Sequence, residues 1–306
     1  MKIAIIGPGA IGSTYGVLLS EAGHEVVLLA GRAAYVEAAA KNGGILVKQG
    51  ETNRIAPCRM TCEAKDIAGS GLALVLVKAP QTAAALVPAI PYIEKETPVL
   101  SLQNGLGNAE ELERLFPAEK LLIGITRVGA ILLEPGSIHI TRIGKSIFGP
   151  WRGGDLKRAG EIAALFSAAG LESRAVEDPR PAVWEKLMIN VGVNALSAIT
   201  GMHAGQVLDS PPVMAVAGEA IAEAERVALA LGLPVRADMF GNFVEGLKLA
   251  NNNRPSMLQD VDAGRLTEIE FINGAVSRLG REKGIPTPVN DTLSNLIRGI
   301  QSRPRA

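Results

Sequence analysis

The hexapeptide Gly7-Pro8-Gly9-Ala10-Ile11-Gly12 fits G-x-G-x-x-G and lies where that spacing has a physical meaning. Residues 2–6, KIAII, form a short apolar run suited to a buried parallel strand. Residues 10–22 read as a helix ended by Gly23, and residues 25–30, EVVLLA, as the next strand. Strand, glycine turn, helix and strand within about 30 residues make a βαβ unit. In such a unit the first glycine permits the turn, the second lets backbone approach a pyrophosphate, and the third lets helix pack on strand. The helix N-terminus then offers unbonded N–H groups and a partial positive charge to phosphates. The start of the chain is thereby committed to an open α/β sheet, with Gly7, Pro8, Gly9, Ala10, Ile11 and Gly12 as candidate dinucleotide ligands.

The end of the second strand separates two cofactors. A site for NAD places Asp or Glu there to bind the ribose 2′-hydroxyl. This chain has Ala30-Gly31-Arg32 instead, with Arg32 lying 20 residues after Gly12. A guanidinium binds a 2′-phosphate bidentately. A charged hydrogen bond of about 1.5–3 kcal/mol corresponds to roughly a 10- to 150-fold preference for NADP over NAD. Further strands are expected at 72–77, 98–102 and 121–125, separated by helical or loop stretches, so a parallel sheet is covered by helices on both faces. Lys78 and Asn104 follow two of these strands on the edge where open sheets bind ligands. Residues 126–150 read as strands joined by the turns EPGS and IGKS, antiparallel additions to the sheet, and 155–169 as a helix.

Composition narrows the class. Apolar residues are 47% and charged residues 20% of 306, ample for a large core, and the formal net charge is zero. Binding to nucleic acid or an acidic membrane would favour a basic surplus, so neither partner is expected. Two cysteines, Cys58 and Cys62, cannot make a disulfide framework, and no Cys or His cluster completes a zinc site. The N-terminal apolar run is interrupted by Gly and Pro after five residues, and no run of about 18 apolar residues occurs, so a reducing, cytoplasmic enzyme is the expectation.

The prolines of Asp178-Pro179-Arg180-Pro181 mark a boundary between domains 1–178 and 179–306. Beyond it the pattern is helical: 182–199, 211–232, 236–251, 256–283 and 289–301, with a break at Asn251–Pro255. Within the first of these helices Lys186, Asn190 and Asn194 recur at i, i+4, i+8 and form one stripe. The rest of that helix is apolar on nearly all sides, which implies burial. Asn is a poor helix former, and a buried polar stripe needs partners, so the stripe reads as facing a cleft. A cleft lysine among apolar neighbours has its pKa lowered by desolvation and suits protonation of a carbonyl oxygen. In the later segment Ser256 reads as a helix cap, Glu268 as a surface or site carboxylate, and Asn273-Gly274 as a close helix contact. His24, His139 and His203 read as structural or surface residues.

GPGAIG, Arg32, VKAPQT around Lys78, SLQNGLGN around Asn104, WEKLMINVGVNALSAIT, RPSMLQDVDAGRLTEIEFINGAV and GIPTPVNDTL, in this order, resemble the ketopantoate reductase family from residue 3 to about 295. The resemblance implies an N-terminal Rossmann-type dinucleotide-binding domain plus an all-helical C-terminal domain, with the site in the cleft between them. It implies NADPH reduction of a small 2-keto acid, 2-dehydropantoate, in pantothenate synthesis. Lys186 matches the general acid and Glu268 an active-site glutamate near the lysine and the cofactor ribose. Asn190 and Asn194 match substrate-binding positions, Ser256 a ligand of the substrate carboxylate, and Lys78 and Asn104 contacts to cofactor and substrate. One position departs. Some members carry Asn just before the glycine matching Gly205, where this chain has Ala204, so a contact to the substrate's hydroxyl end is not implied. Two other readings are a reductase of a different 2-keto acid and a non-catalytic NADP-binding sensor, which has no need of Lys186 or Glu268. A homodimer is compatible with the sequence but not required by it.

Overall fold

The computed structural model describes residues 1–236, 238–250 and 253–303. The chain divides into two compact units: Met1–Gln103 with Asn108–Pro179, and Asn104–Gly107 with Arg180–Ala306. A boundary at residue 178 would put Asn104–Gly107 wholly in the first unit. The tetrapeptide groups instead with the second, where the Leu106 amide donates to the Phe271 carbonyl at 2.7 Å and Leu106 packs on the helical core.

In chain order the first unit runs β1 (Lys2–Ile6), α1 (Ala10–Glu21), β2 (Glu25–Leu29), α2 (Ala33–Asn42), β3 (Ile45–Gln49), β4 (Thr52–Ala56), β5 (Arg59–Thr61), β6 (Leu72–Val75), α3 (Thr82–Leu86), β7 (Val99–Ser101), α4 (Asn108–Glu113), β8 (Leu121–Thr126), β9 (Gly129–Glu134), β10 (Ser137–Arg142), β11 (Ser146–Pro150), α5 (Leu156–Ala168) and β12 (Ser173–Ala175). Eight strands form one sheet in the order β12-β11-β8-β7-β6-β1-β2-β5. Strands β5, β2, β1, β6, β7 and β8 are parallel, and β11 joins β8 antiparallel. The chain builds outward from β1 through β2, then crosses to β6 on its other side. The carboxyl ends of β1 and β6 therefore flank a switch point, the place where open α/β sheets bind ligands. The central strands are almost wholly apolar because both their faces are covered.

A second sheet, β4-β3-β10-β9, departs from the sequence expectation twice. Residues 45–61 fall where helix or loop is expected, yet β3 and β4 pair antiparallel about Gly50. Strands β9 and β10 are expected as additions to the main sheet, but β10 joins β3 instead, and only β11 extends the main sheet. The second sheet packs on the side of α1 away from β1 and β2. Helix α1 is thus enclosed between two sheets, which is why Ser13, Thr14 and Tyr15 are buried along with its apolar residues.

The second unit is helical: α6 (Arg180–Thr200), α7 (Ala204–Leu208), α8 (Pro211–Ala230), α9 (Met239–Leu249), α10 (Ser256–Asp262), α11 (Asn273–Lys283) and α12 (Pro288–Gln301). The expected single helix over 256–283 is two. Helix α10 stops before Gly264, which takes the left-handed conformation at φ 61°, and a 3-10 turn over Ile269–Phe271 precedes α11. The expected helix end at residue 251 and the break at Asn251-Asn252 lie outside the described residues. Helix α6 packs against α7, α8, α9, α10 and α12, which accounts for its apolar residues on nearly every side. The core around it includes Trp184, Leu187, Val191, Ile221, Phe243 and Ile297. No helix among the described residues is long and apolar enough to cross a membrane.

One hydroxyl triangle bolts α1 to the far side of its sheet. The Tyr15 hydroxyl lies 3.0 Å from Thr126 Oγ1 on β8 and 2.6 Å from Ser146 Oγ on β11, and the Ser146 hydroxyl donates to Thr126 at 3.0 Å. Burial pushes the phenol above its ordinary pKa, so it stays neutral. Replacing Tyr15 by Phe keeps the ring and removes the bridging hydroxyl. Urea unfolding of Tyr15→Phe is expected to show a loss of about 1 kcal/mol, the typical net contribution of one buried neutral hydrogen bond.

Candidate active site

The glycine turn is dictated partly by the chain itself. Gly7 has φ 103°, and a Cβ there would lie 2.6 Å from Val77 Cγ1 beyond β6. A Cβ on Gly12 would collide with the Gly7 carbonyl oxygen. Gly9 is different. It has φ −70° and ψ −171°, which any residue adopts, and a Cβ there would meet no protein atom within 4 Å. Neither packing nor backbone conformation requires glycine at position 9, whereas close approach of a pyrophosphate does. Gly9 is also the cap residue of α1, with no side-chain cap and no acidic residue in the first turn, so the helix N-terminus suits an anion. These residues fit a dinucleotide.

Arg32 stands at the cap position of α2 in extended backbone conformation and is exposed. Its Nη2 donates to the Tyr35 hydroxyl at 3.1 Å, and its guanidinium carbon lies 5.1 Å from the Tyr35 ring centroid. Lys78 is half-buried, at the cap of the single 3-10 turn Ala79–Gln81 beyond β6. The loop carrying it is stapled by Gln103, whose Nε2 donates to the Val77 carbonyl at 2.9 Å and to Thr82 Oγ1 at 2.8 Å. Gln103 Oε1 in turn accepts from Ser101 Oγ at 2.9 Å. Neither Tyr35 nor Gln103 is among the residues expected from sequence. The one signal for Gln103 is a long amide at the end of an apolar strand.

In the helical unit Lys186, Asn190 and Asn194 lie along α6, the first two half-buried and Asn194 buried. Glu268 is only 4% exposed, and its Oε2 accepts from Asn104 Nδ2 at 3.4 Å. Two candidate residues 164 positions apart in the chain are thus brought together. Helix α10, which begins at Ser256, packs on α6. Pro255, not Ser256, holds the cap position. Ser256 is the first helical residue and half-buried, so the capping role expected of it is not the one it has. Ala204 is buried at the start of α7. The thiol of Cys58 is pushed up to about 12 by burial and is therefore no nucleophile at neutral pH.

Asn273 ties the two arms of this arrangement. Its Nδ2 donates to the Val191 carbonyl on α6 at 3.3 Å and to Asn290 Oδ1 at 3.0 Å. Asn290 Nδ2 donates to the Ala220 carbonyl at 3.0 Å and to Glu223 Oε2 at 2.7 Å. Glu223, buried on α8, also accepts the Val289 and Asn290 backbone N–H groups, each at 2.9 Å, and so caps α12 from outside it. The turn bearing Glu268 is thereby held in register with the helix bearing Lys186.

Fold and site together define an oxidoreductase of the Rossmann class with a helical second unit. Residues 3–153 match the family model described as ketopantoate reductase PanE/ApbA, and residues 178–301 its C-terminal counterpart. The chain belongs to the ketopantoate reductase family. It is 34% identical to the 2-dehydropantoate 2-reductase of Halobacterium salinarum, over 98% of this chain and 99% of that one. A crystal structure of 2-dehydropantoate 2-reductase from Geobacter metallireducens superposes with a TM-score of 0.91 at 32% identity, covering 98% and 99% of the two chains. The ternary structure of D-mandelate dehydrogenase with NADH and anilino(oxo)acetate gives a TM-score of 0.92 at 27% identity, covering 98% of each.

The turn after Glu268 is clamped by a two-pronged ion pair. Arg298 Nε and Nη2 donate to the two Glu270 carboxylate oxygens at 2.7 and 2.6 Å. These hydrogen bonds hold the Glu270 carboxyl below its ordinary value of 4.5. Its folded pKa lies below its unfolded one, so the pair's contribution is complete above about 4.5 and is lost as pH falls through the folded value. The pair is half exposed, which limits it to roughly 0.2–1 kcal/mol. Urea titrations of wild type and Glu270→Gln are expected to differ at pH 7 and to converge in acid below the folded pKa.

Proposed function

We propose that this chain reduces 2-dehydropantoate to (R)-pantoate with NADPH, with Lys186 as general acid. The observation that carries the reading is the joint placement within one helical unit of the α6 stripe and the Asn104–Glu268 pair. A sensor of NADP has no use for either. Gly7, Pro8, Gly9, Ala10, Ile11 and Gly12 would hold the pyrophosphate of the cofactor, and Arg32 its 2′-phosphate. Lys78, Asn104 and Glu268 would meet the rest of it. When bound, the dihydronicotinamide supplies the hydride that the ketone carbon accepts. The alcohol needs one proton besides, and Lys186 Nζ gives it to the carbonyl oxygen, then recovers one from solvent. Asn190, Asn194 and Asn104 orient the substrate, Ser256 binds its carboxylate, and Glu268 holds the lysine end of the site in place. Lys186, Asn190 and Asn194 are carried by the long packed helix α6, which suits precise positioning.

A second reading, reduction of a different 2-keto acid, is favoured by two observations. Ala204 offers no amide where the family resemblance places Asn in some members, and D-mandelate dehydrogenase matches this fold as fully as a pantoate enzyme does, though at 27% against 32% identity. NADPH oxidation measured with 2-dehydropantoate, pyruvate, 2-oxoisovalerate and the keto acid of mandelate distinguishes them. We expect kcat/KM for 2-dehydropantoate to exceed each of the others by at least about tenfold. A higher value for the aromatic acid would establish the second reading instead. Replacing Lys186 by Ala is expected to lower kcat by at least about 100-fold while NADPH binding, followed by fluorescence, stays near wild type. Turnover close to wild type would remove the general-acid assignment.

A further inference from the structure

Arg32 emerges from extended backbone at φ −144° and ψ 132° and carries an exposed side chain. An exposed arginine left to itself samples many rotamers, and ordering it on a ligand costs affinity. Here it is not left to itself. Tyr35, the third residue of α2, is 9% exposed, so its ring is fixed by its surroundings. That fixed ring lies under the guanidinium at 5.1 Å, and its hydroxyl accepts from Nη2 at 3.1 Å. We propose that Tyr35 is a specificity-determining positioning residue, which presets the Arg32 guanidinium to receive the 2′-phosphate of NADPH. The proposal rests on the reading of Arg32 as the 2′-phosphate ligand.

The chemistry of the pair is suited to this. A guanidinium has five N–H donors, and the phenol uses one of the two on Nη2, leaving one two-donor edge of the fork for a phosphate. The tyrosine hydroxyl is the acceptor in its bond to Arg32, so it fixes the guanidinium without competing with it for the phosphate. The first turn of α2 contains no acidic residue to repel that anion. A ring present only to fill space would need no hydroxyl, which makes the oxygen atom of Tyr35 the part of the residue to test.

Tyr35→Phe, Arg32→Ala and the double variant should be compared with wild type, each with NADPH and NADH, by steady-state kinetics and by binding of adenosine 2′,5′-bisphosphate. Expected for Tyr35→Phe is a rise of roughly 2- to 12-fold in KM for NADPH and in the bisphosphate Kd, the range set by ordering one long side chain, with NADH parameters unchanged and kcat retained. Expected for Arg32→Ala is a larger NADPH-selective loss, with no further effect of Tyr35→Phe in that background. The ratio of the two cofactors within one variant is insensitive to partial misfolding, so a merely structural role would not move it. If Arg32→Ala is NADPH-selective while Tyr35→Phe leaves the ratio unchanged, the tyrosine proposal fails and the arginine reading stands. If Arg32→Ala weakens both cofactors equally, both fail together.

Discussion

At residue 12 the Gly7 carbonyl oxygen occupies the space a Cβ would need, so only glycine fits there. This fit sets how closely α1 follows β1, and much of the first unit is arranged around that helix. With α1 drawn down onto β1 and β2, its other side is left for the second sheet to cover. Its N-terminus is fixed at the switch point between β1 and β6. The hydroxyl triangle of Tyr15, Thr126 and Ser146 secures the same helix to strands on the opposite flank. A cofactor phosphate would meet a helix end that steric fit and buried hydrogen bonds both hold in position, so binding need not first order it.

The helical unit solves a related problem by polar means. Helix α6 must be buried to be rigid, yet it carries Lys186, Asn190 and Asn194. Its register with the Glu268 turn is kept by side-chain amides and a carboxylate, from Asn273 through Asn290 to Glu223, which join α6, α8, α11 and α12. Directional bonds in a low-dielectric interior specify one arrangement, whereas apolar contacts alone would tolerate sliding. The Glu223 carboxylate does two things in this frame, closing the network and satisfying the N-terminus of α12.

What can be read from the sequence follows from which residues are covered on all sides. The strands at 2–6, 72–77 and 121–125 are legible because a strand buried on both faces is apolar at every position, as Leu72–Val75 is. The α6 stripe is legible because asparagines on an apolar helix stand out. The β3–β4 hairpin is not, since its strands are half exposed and mix Lys48, Asn53 and Arg54 with Val47 and Ile55. Dividing 256–283 into two helices depends on one left-handed glycine, and a single Gly within a periodic stretch is also tolerated in helices. Tyr35 carries no signal at all, because a tyrosine three residues after an arginine has its meaning only once a helix turn stacks them.

The tetrapeptide Asn104–Gly107 has a consequence for how the chain can be cut or recombined. It brings Leu106 to the helical core, the Leu106 amide to the Phe271 carbonyl, and the Asn104 amide to Glu268. Residues 180–306 excised as a fragment would lack all three, although the proline-rich junction before them looks like a natural seam. The halves of this protein are therefore not interchangeable modules: a graft of one onto a foreign partner would have to carry this short insert from the other, or leave the carboxylate of Glu268 without its amide neighbour.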